Sequence, residues 1–304
     1  MRTFFSFIFI LSLVTANAQS PWATSFNVNT TPEIGMAKIY AVTDFQKVDN
    51  LFYGYRSEVK STVTFIVLDT MAGGYWIRYR AESGSIDEKN DSSAYYLSLL
   101  TDGLELNLYL KNGRMLLDSV SYFRCKNRIA AMVDSIMAHE TFHGKLFYFM
   151  NELQATLKED AGLGGSFLGP LELFITWYSS GSYSKFRFAA NGYKEDILHK
   201  YLFRGMITQQ WKGSSKSGGI ELNHVFTADP VEGAKYLRGQ FETALGRNNI
   251  HLKKNDYPPE VRLVNDYNYY IQSGSFFPYR ITSKSVSEYL FRSVGKIEMK
   301  EMFE

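Results

Sequence analysis

The chain has 304 residues, with 33 Lys and Arg against 31 Asp and Glu, a formal charge of +2, and 45% hydrophobic and 16% aromatic content. That balance argues against a nucleic-acid binder, which would carry a basic excess or patch, and against a disordered chain. A single cysteine, Cys125, cannot close an internal disulfide, so no disulfide framework holds the fold.

Residues 1–18 read as a cleaved export signal. Arg2 supplies the positive start, Phe4 to Val14 the apolar core, and Ala16-Asn17-Ala18 the small-x-small cleavage pattern. The apolar run is well short of the roughly 20 residues of a permanent span. An uncleaved anchor is the alternative, and the polar residues after Val14 speak against it. The mature protein is therefore expected to be exported, periplasmic or secreted, with no permanent membrane span. Residues 19–35 read as a loose lead-in, and residues 36–304 as one α+β domain with a helical middle at about 126–178.

From 37 to 123 the pattern has period two. Leu104-Glu105-Leu106-Asn107-Leu108-Tyr109-Leu110 alternates strictly and puts its leucines on one face of a strand. Asn112-Gly113 follows, then the apolar-rich run Arg114 to Phe123, which together predict a hairpin. Ser61 to Asp69 and Gly74 to Arg80 predict another across Met71-Ala72-Gly73.

Between Lys126 and Glu159 there is no proline, and Ile129, Met132, Val133, Ile136 and Met137 recur at helical spacing. One or two helices are expected there, ending before the loop Gly162-Leu163-Gly164-Gly165. Gly169-Pro170 is expected to open a further helix through about Tyr178, with proline in its first turn. Strands return near Lys185–Phe188, Tyr201–Trp211 and Gly219–Thr227. Pro230 to Leu245 predicts a helix closed by Gly246. Val261–Gln272 and Ser285–Met299 complete the chain as strands. The fold class is thus α+β, with the helical middle packed against a mainly antiparallel sheet.

One motif carries chemistry. His139-Glu140-Thr141-Phe142-His143 is an HExxH pentapeptide in a stretch expected to be helical. Residues four apart share a helix face, so His139 and His143 could hold one Zn²⁺ while Glu140 activates its water. Met132, Ile136, His139, His143 and Phe147 step by three or four, which puts both histidines on the inward stripe. Against a metal site, the longer HExxHxxGxxH pattern fails at Leu146 and Phe149. Lys145 stands where an apolar residue is usual. Candidates for a third ligand (Glu152, Glu159, Asp160 and Glu172) sit in no recognisable motif. Two histidines packed and hydrogen-bonded on a core helix face are the favoured reading, with no cofactor; zinc is the alternative.

The remaining features are weaker. Cys125 lies between Arg124 and Lys126 without a partner pattern and reads as a structural or surface thiol. The glycine loop lacks the lysine and spacing of a phosphate loop, and Ser179-Ser180-Gly181-Ser182 is not a nucleophile elbow. Tyr267, Tyr269, Tyr270, Phe276, Phe277 and Tyr279 crowd one segment and either line an apolar cavity or simply furnish an aromatic sheet.

Taken together, the runs LFYGYRSEVKSTVTFIVLDTMAGGYWIRYRAES, LNLYLKNGRMLLDSV and FFPYRITSKSVSEYLFRSVGKIEMKEMFE resemble exported bacterial proteins similar to the LolA-type periplasmic lipoprotein carriers. That resemblance implies a half-barrel capped by helices over an apolar cavity, and carries no functional residues across. The expected function is therefore non-enzymatic. The protein would bind an apolar small molecule or lipid, or an envelope protein, in a sheet–helix cavity. The alternative is a zinc-dependent metallohydrolase.

Overall fold

A computed structural model describes residues 31–49, 54–71, 73–84, 92–111, 114–158, 163, 165–180, 187–195, 202–213, 219–247, 251–272, 275–290 and 292–302. The stretch read as an export signal, residues 1–18, and most of the expected lead-in lie outside the described residues.

Among the described residues eleven strands pair antiparallel throughout one open, curved sheet. They are β1 (Ala37–Asp49), β2 (Gly54–Met71), β3 (Gly74–Ser83), β4 (Leu104–Lys111) and β5 (Arg114–Leu117), then β6 (Arg187–Glu195), β7 (Leu202–Gly213), β8 (Gly219–Ala228), β9 (Arg262–Gln272), β10 (Arg280–Glu288) and β11 (Arg292–Glu301). Their order across the sheet is β5-β4-β3-β2-β1-β11-β10-β9-β8-β7-β6. The chain thus starts at the centre, meanders to one edge, crosses through helices to the other edge, and returns to lay β11 against β1. In that central pairing Tyr40 faces Glu301 and Val42 faces Met299.

Among the described residues five helices accompany the sheet: α1 (Ser92–Thr101), α2 (Ser119–His139), α3 (Gly144–Lys158), α4 (Gly165–Ser180) and α5 (Pro230–Arg247). The α+β expectation holds, and so does the inward leucine face of β4, where Leu104, Leu106, Leu108 and Leu110 are all buried. The hairpins β2–β3 and β4–β5 pair where expected, with Met71 opposite Gly74 and Lys111 opposite Arg114.

Several boundaries differ from the sequence reading. α1 lies within the stretch read as strands throughout. Its buried residues Ala94, Tyr96, Ser98 and Leu100 alternate like a strand's, so it shows no single apolar stripe. Strand β5 stops at Leu117 rather than Phe123, because Asp118 caps α2 by accepting a hydrogen bond from the Ser121 amide at 2.9 Å. Pro170 stands at the sixth position of α4, not in its first turn, and α5 runs on through Gly246. The last run is two strands, β10 and β11, paired from Arg280–Lys300 to Glu288–Arg292.

Helix α4 is the central packing element. Phe167, Leu168, Leu171, Leu173, Phe174 and Trp177 are buried on it. Phe174 lies 4.4 Å from the Phe65 ring on β2 and stacks on Phe277 at 5.4 Å. Trp177 packs on Tyr269 of β9 at 5.5 Å and donates through Nε1 to the Phe276 carbonyl at 3.1 Å. The Tyr269 hydroxyl donates in turn to the Leu173 carbonyl at 3.1 Å. Fully burying one such side chain is worth about 1.5–3 kcal/mol, so this helix is tied firmly to the inner face of the sheet.

Candidate functional site

The HExxH segment is not one helix. α2 ends at His139, Glu140 is extended (φ −115, ψ 144), and α3 begins only at Gly144, whose φ is +56. The side chain the pentapeptide buries is Phe142, whose ring meets Tyr96 of α1 edge-on at 5.4 Å. The Tyr96 hydroxyl donates to Glu140 Oε2. Both histidines are exposed rather than inward, and His139 Nδ1 donates to the Ser135 carbonyl at 2.7 Å. The expectation of a shared helical, inward face is thereby corrected: the chain leaves the helix to dock Phe142 and so breaks the i, i+4 register the motif needs. Among the described residues no group of three His, Cys, Asp or Glu converges as a metal site. Glu152 lies on α3 and Glu172 on α4, while Glu159 and Asp160 fall outside the described residues. Cys125 is buried on α2, and its thiol donates to the Glu105 carbonyl at 2.8 Å, a structural role.

The aromatic segment divides between faces. Tyr267 and Tyr269 are buried on the inner face, as are Phe276 and Phe277 beyond β9. Tyr270 and Tyr279 pack on one another at 6.4 Å, with the Arg280 guanidinium 5.3 Å from the Tyr270 ring.

The site the sequence reading missed lies where the inner face turns polar. Along β1 the inward positions run Tyr40, Val42, Asp44, Gln46. Register then places Ser283 and Ser285 of β10 and Gly295 of β11 beside them, on the same face as Ile281 and Met299. Asn265 and Tyr267 continue that face on β9, and α4 closes it with Gly169, Glu172 and Leu173. Together these residues line a cavity of about 380 Å³, within the size range of small-molecule sites. A smaller chamber of about 40 Å³ shares Asp44 and Gln46 with it and is walled by Tyr79, Ser83, Ser98, Thr101 and Phe167.

Glycines make the room. A Cβ on Gly295 would meet Ser285 Oγ at 2.7 Å, and one on Gly169 would meet Ile297 Cδ1 at 3.0 Å. The lining is largely polar where an apolar cavity was expected, because Phe174, Trp177 and their partners already fill the apolar part of the inner face.

Electrostatics single out two groups here. Burial raises the Asp44 carboxyl to about 6, opposed only by a hydrogen bond with the Gln46 side chain. Among the described residues no Lys, Arg or His forms an ion pair with it. Tyr79 is wholly buried, burial pushes its pKa up, and its hydroxyl has no hydrogen-bond partner among the described residues. Nearby, the Tyr267 hydroxyl lies 3.4 Å from Glu172 Oε1. Behind Tyr267, His224 shares a 2.9 Å hydrogen bond through Nδ1 with Gln209 Nε2. The signal for this site was in the sequence: a phase-preserving switch from apolar to polar at inward positions of β1 and β10.

No protein-family model matches the chain, and no curated protein matches it. A solved structure titled "Lipid-protein interactions in lipovitellin" is similar in shape, with a TM-score of 0.39 and 8% identity, over 89% of this chain and 25% of that one. The chain thus spans about a quarter of that protein's length. Among the described residues no helix is long and apolar enough to cross a membrane.

Proposed function

We propose that this chain is an exported binding protein that holds a small ligand between the inner face of its sheet and α4. The observation that carries the reading is Asp44: an ionisable carboxyl, largely withdrawn from solvent and without a cationic partner among the described residues, on the wall of a cavity of about 380 Å³. Burying a charge without compensation opposes folding, and such groups concentrate where a ligand supplies the compensation. Export rests on the signal read at residues 1–18. The apolar ligand anticipated from sequence would need α4 to withdraw, since Phe174 and Trp177 occupy the apolar half of the inner face.

The test is native mass spectrometry of the mature chain 19–304 recovered from exporting cells, beside Ser293→Phe, which fills the cavity wall. A small-molecule adduct on the parent chain, lost on denaturation and absent from Ser293→Phe, is expected. An adduct that persists equally in the filled variant would discard the cavity as the binding site.

A further inference from the structure

Resting on that reading, we propose that the ligand is a small amine that also carries hydroxyl groups, of the amino-alcohol or amino-sugar class, with its ammonium at Asp44. Three features of the cavity point the same way. First, among the described residues the acidic groups on its wall are Asp44 from β1 and Glu172 from α4, and the one basic residue there, Lys284, is exposed and alternates to the outer face between Ser283 and Ser285. An anionic ligand would meet two carboxylates, whereas an ammonium would neutralise the one that lacks a cation.

Second, the Tyr79 hydroxyl is buried beside the chamber that Asp44 also lines, and it has no acceptor among the described residues. A buried donor left without an acceptor is costly. A ligand hydroxyl near the ammonium would satisfy it while the ammonium donates to Asp44. Third, the larger cavity offers neutral hydrogen-bonding side chains, Gln46, Asn265, Ser283, Ser285 and Ser293, suited to further hydroxyls rather than to an alkyl chain. A metal ion is the other cation a carboxylate attracts, but among the described residues no group of three His, Cys, Asp or Glu forms around Asp44.

The probe set is glucosamine, glucose and gluconate: one ring-sized amine with hydroxyls, its neutral counterpart and an acid. Each is titrated calorimetrically into the mature chain at pH 7.5, with and without Ca²⁺, and into Asp44→Asn, Tyr79→Phe and Ser293→Phe. Glucosamine is expected to bind at least tenfold more tightly than glucose, with gluconate weakest. Asp44→Asn should erase the preference for the amine, and Tyr79→Phe should weaken glucosamine and glucose by the same several-fold factor. Asp44→Asn removes only a charge and Tyr79→Phe only a hydroxyl, so melting curves should show both variants folded.

Equal binding of glucose and glucosamine, both lost in Ser293→Phe, would overturn the ammonium while leaving the cavity as a binding site. Displacement of glucosamine by millimolar Ca²⁺ would assign Asp44 to a metal and overturn the proposal. No binding of any probe, together with no adduct in native mass spectrometry, would overturn both this inference and the function it rests on.

Discussion

Two halves of one inner face show how the same strands serve packing and binding. At one end Phe65 meets the rings of Phe174 on α4 and of Phe277, and Tyr40 and Tyr79 pack on Phe65 in turn. Four residues along β1 from Tyr40, at Asp44, the face turns to serines, amides and carboxyls around open space. β1, β10 and β11 run through both halves without a change of register. The difference is made by side chains alone: large rings remove space at one end, and Ser, Gly and Asp preserve it at the other. The filled half supplies stability that the open half then costs.

That contrast predicts an ordered series of effects. The largest belongs to the filled half: Phe174→Ala should lose about 3–5 kcal/mol in urea denaturation, because the ring's neighbours on β2 and at Phe277 are held by other contacts and cannot close the void.

Next comes Asp44→Asn, which should stabilise. The folded carboxyl titrates at about 6 against 3.8 for the free group, so the folded state keeps a proton that the unfolded chain releases. Its contribution is therefore fully present below about pH 4 and lost as pH rises through 6. That rise corresponds to a penalty on the order of 3 kcal/mol above that window. Asp44→Asn should recover much of it at pH 8 and nothing at pH 3.5. Among the described residues, the other titratable groups lining the two chambers with Asp44 are Tyr79 from β3, Glu172 from α4 and Tyr267 from β9, while Lys284 of β10 alternates to the outer face. The comparison is sharpened by running the pH series in a Glu172→Gln background. A parent chain whose melting temperature is flat from pH 4 to 8 would break it.

A smaller gain, about 1 kcal/mol, is expected from Tyr79→Phe, which deletes a buried hydroxyl without a partner among the described residues and keeps the ring against Phe65 at 5.3 Å. The smallest effect falls outside both halves. His139→Ala with His143→Ala should change stability by no more than about 0.5 kcal/mol, since both side chains are exposed. Zinc analysis of the chain purified without chelator should give the same content before and after. One zinc per chain, lost in that double variant, would instead restore the metal reading.

Much of the sheet was legible because strand alternation is a local consequence of the two-residue repeat. The leucines of β4 and the turn glycine between β2 and β3 carry it directly. The start of α2 was legible in principle, since Asp118 is a strong capping residue placed just before Ser119. The end of α2 was not. Ile136, His139 and His143 keep helical spacing, yet the chain turns extended at Glu140 because Phe142 finds Tyr96, a residue 46 positions earlier on a helix the alternation had concealed. Asp44 was legible only as part of the apolar-to-polar switch along β1: taken alone, an acid in a strand looks like a surface residue.

The sequence by itself determined the periodicities, the turn chemistry, the capping residue of α2 and the α+β class, all of which depend on neighbours a few residues apart. Only the tertiary structure decided that β11 returns to β1, that α4 fills one half of the inner face, and that Asp44, Glu172 and Ser285 meet around one cavity. Those outcomes depend on contacts between residues about ninety to more than two hundred positions apart, whose energies exist only once the sheet has curved around the helix.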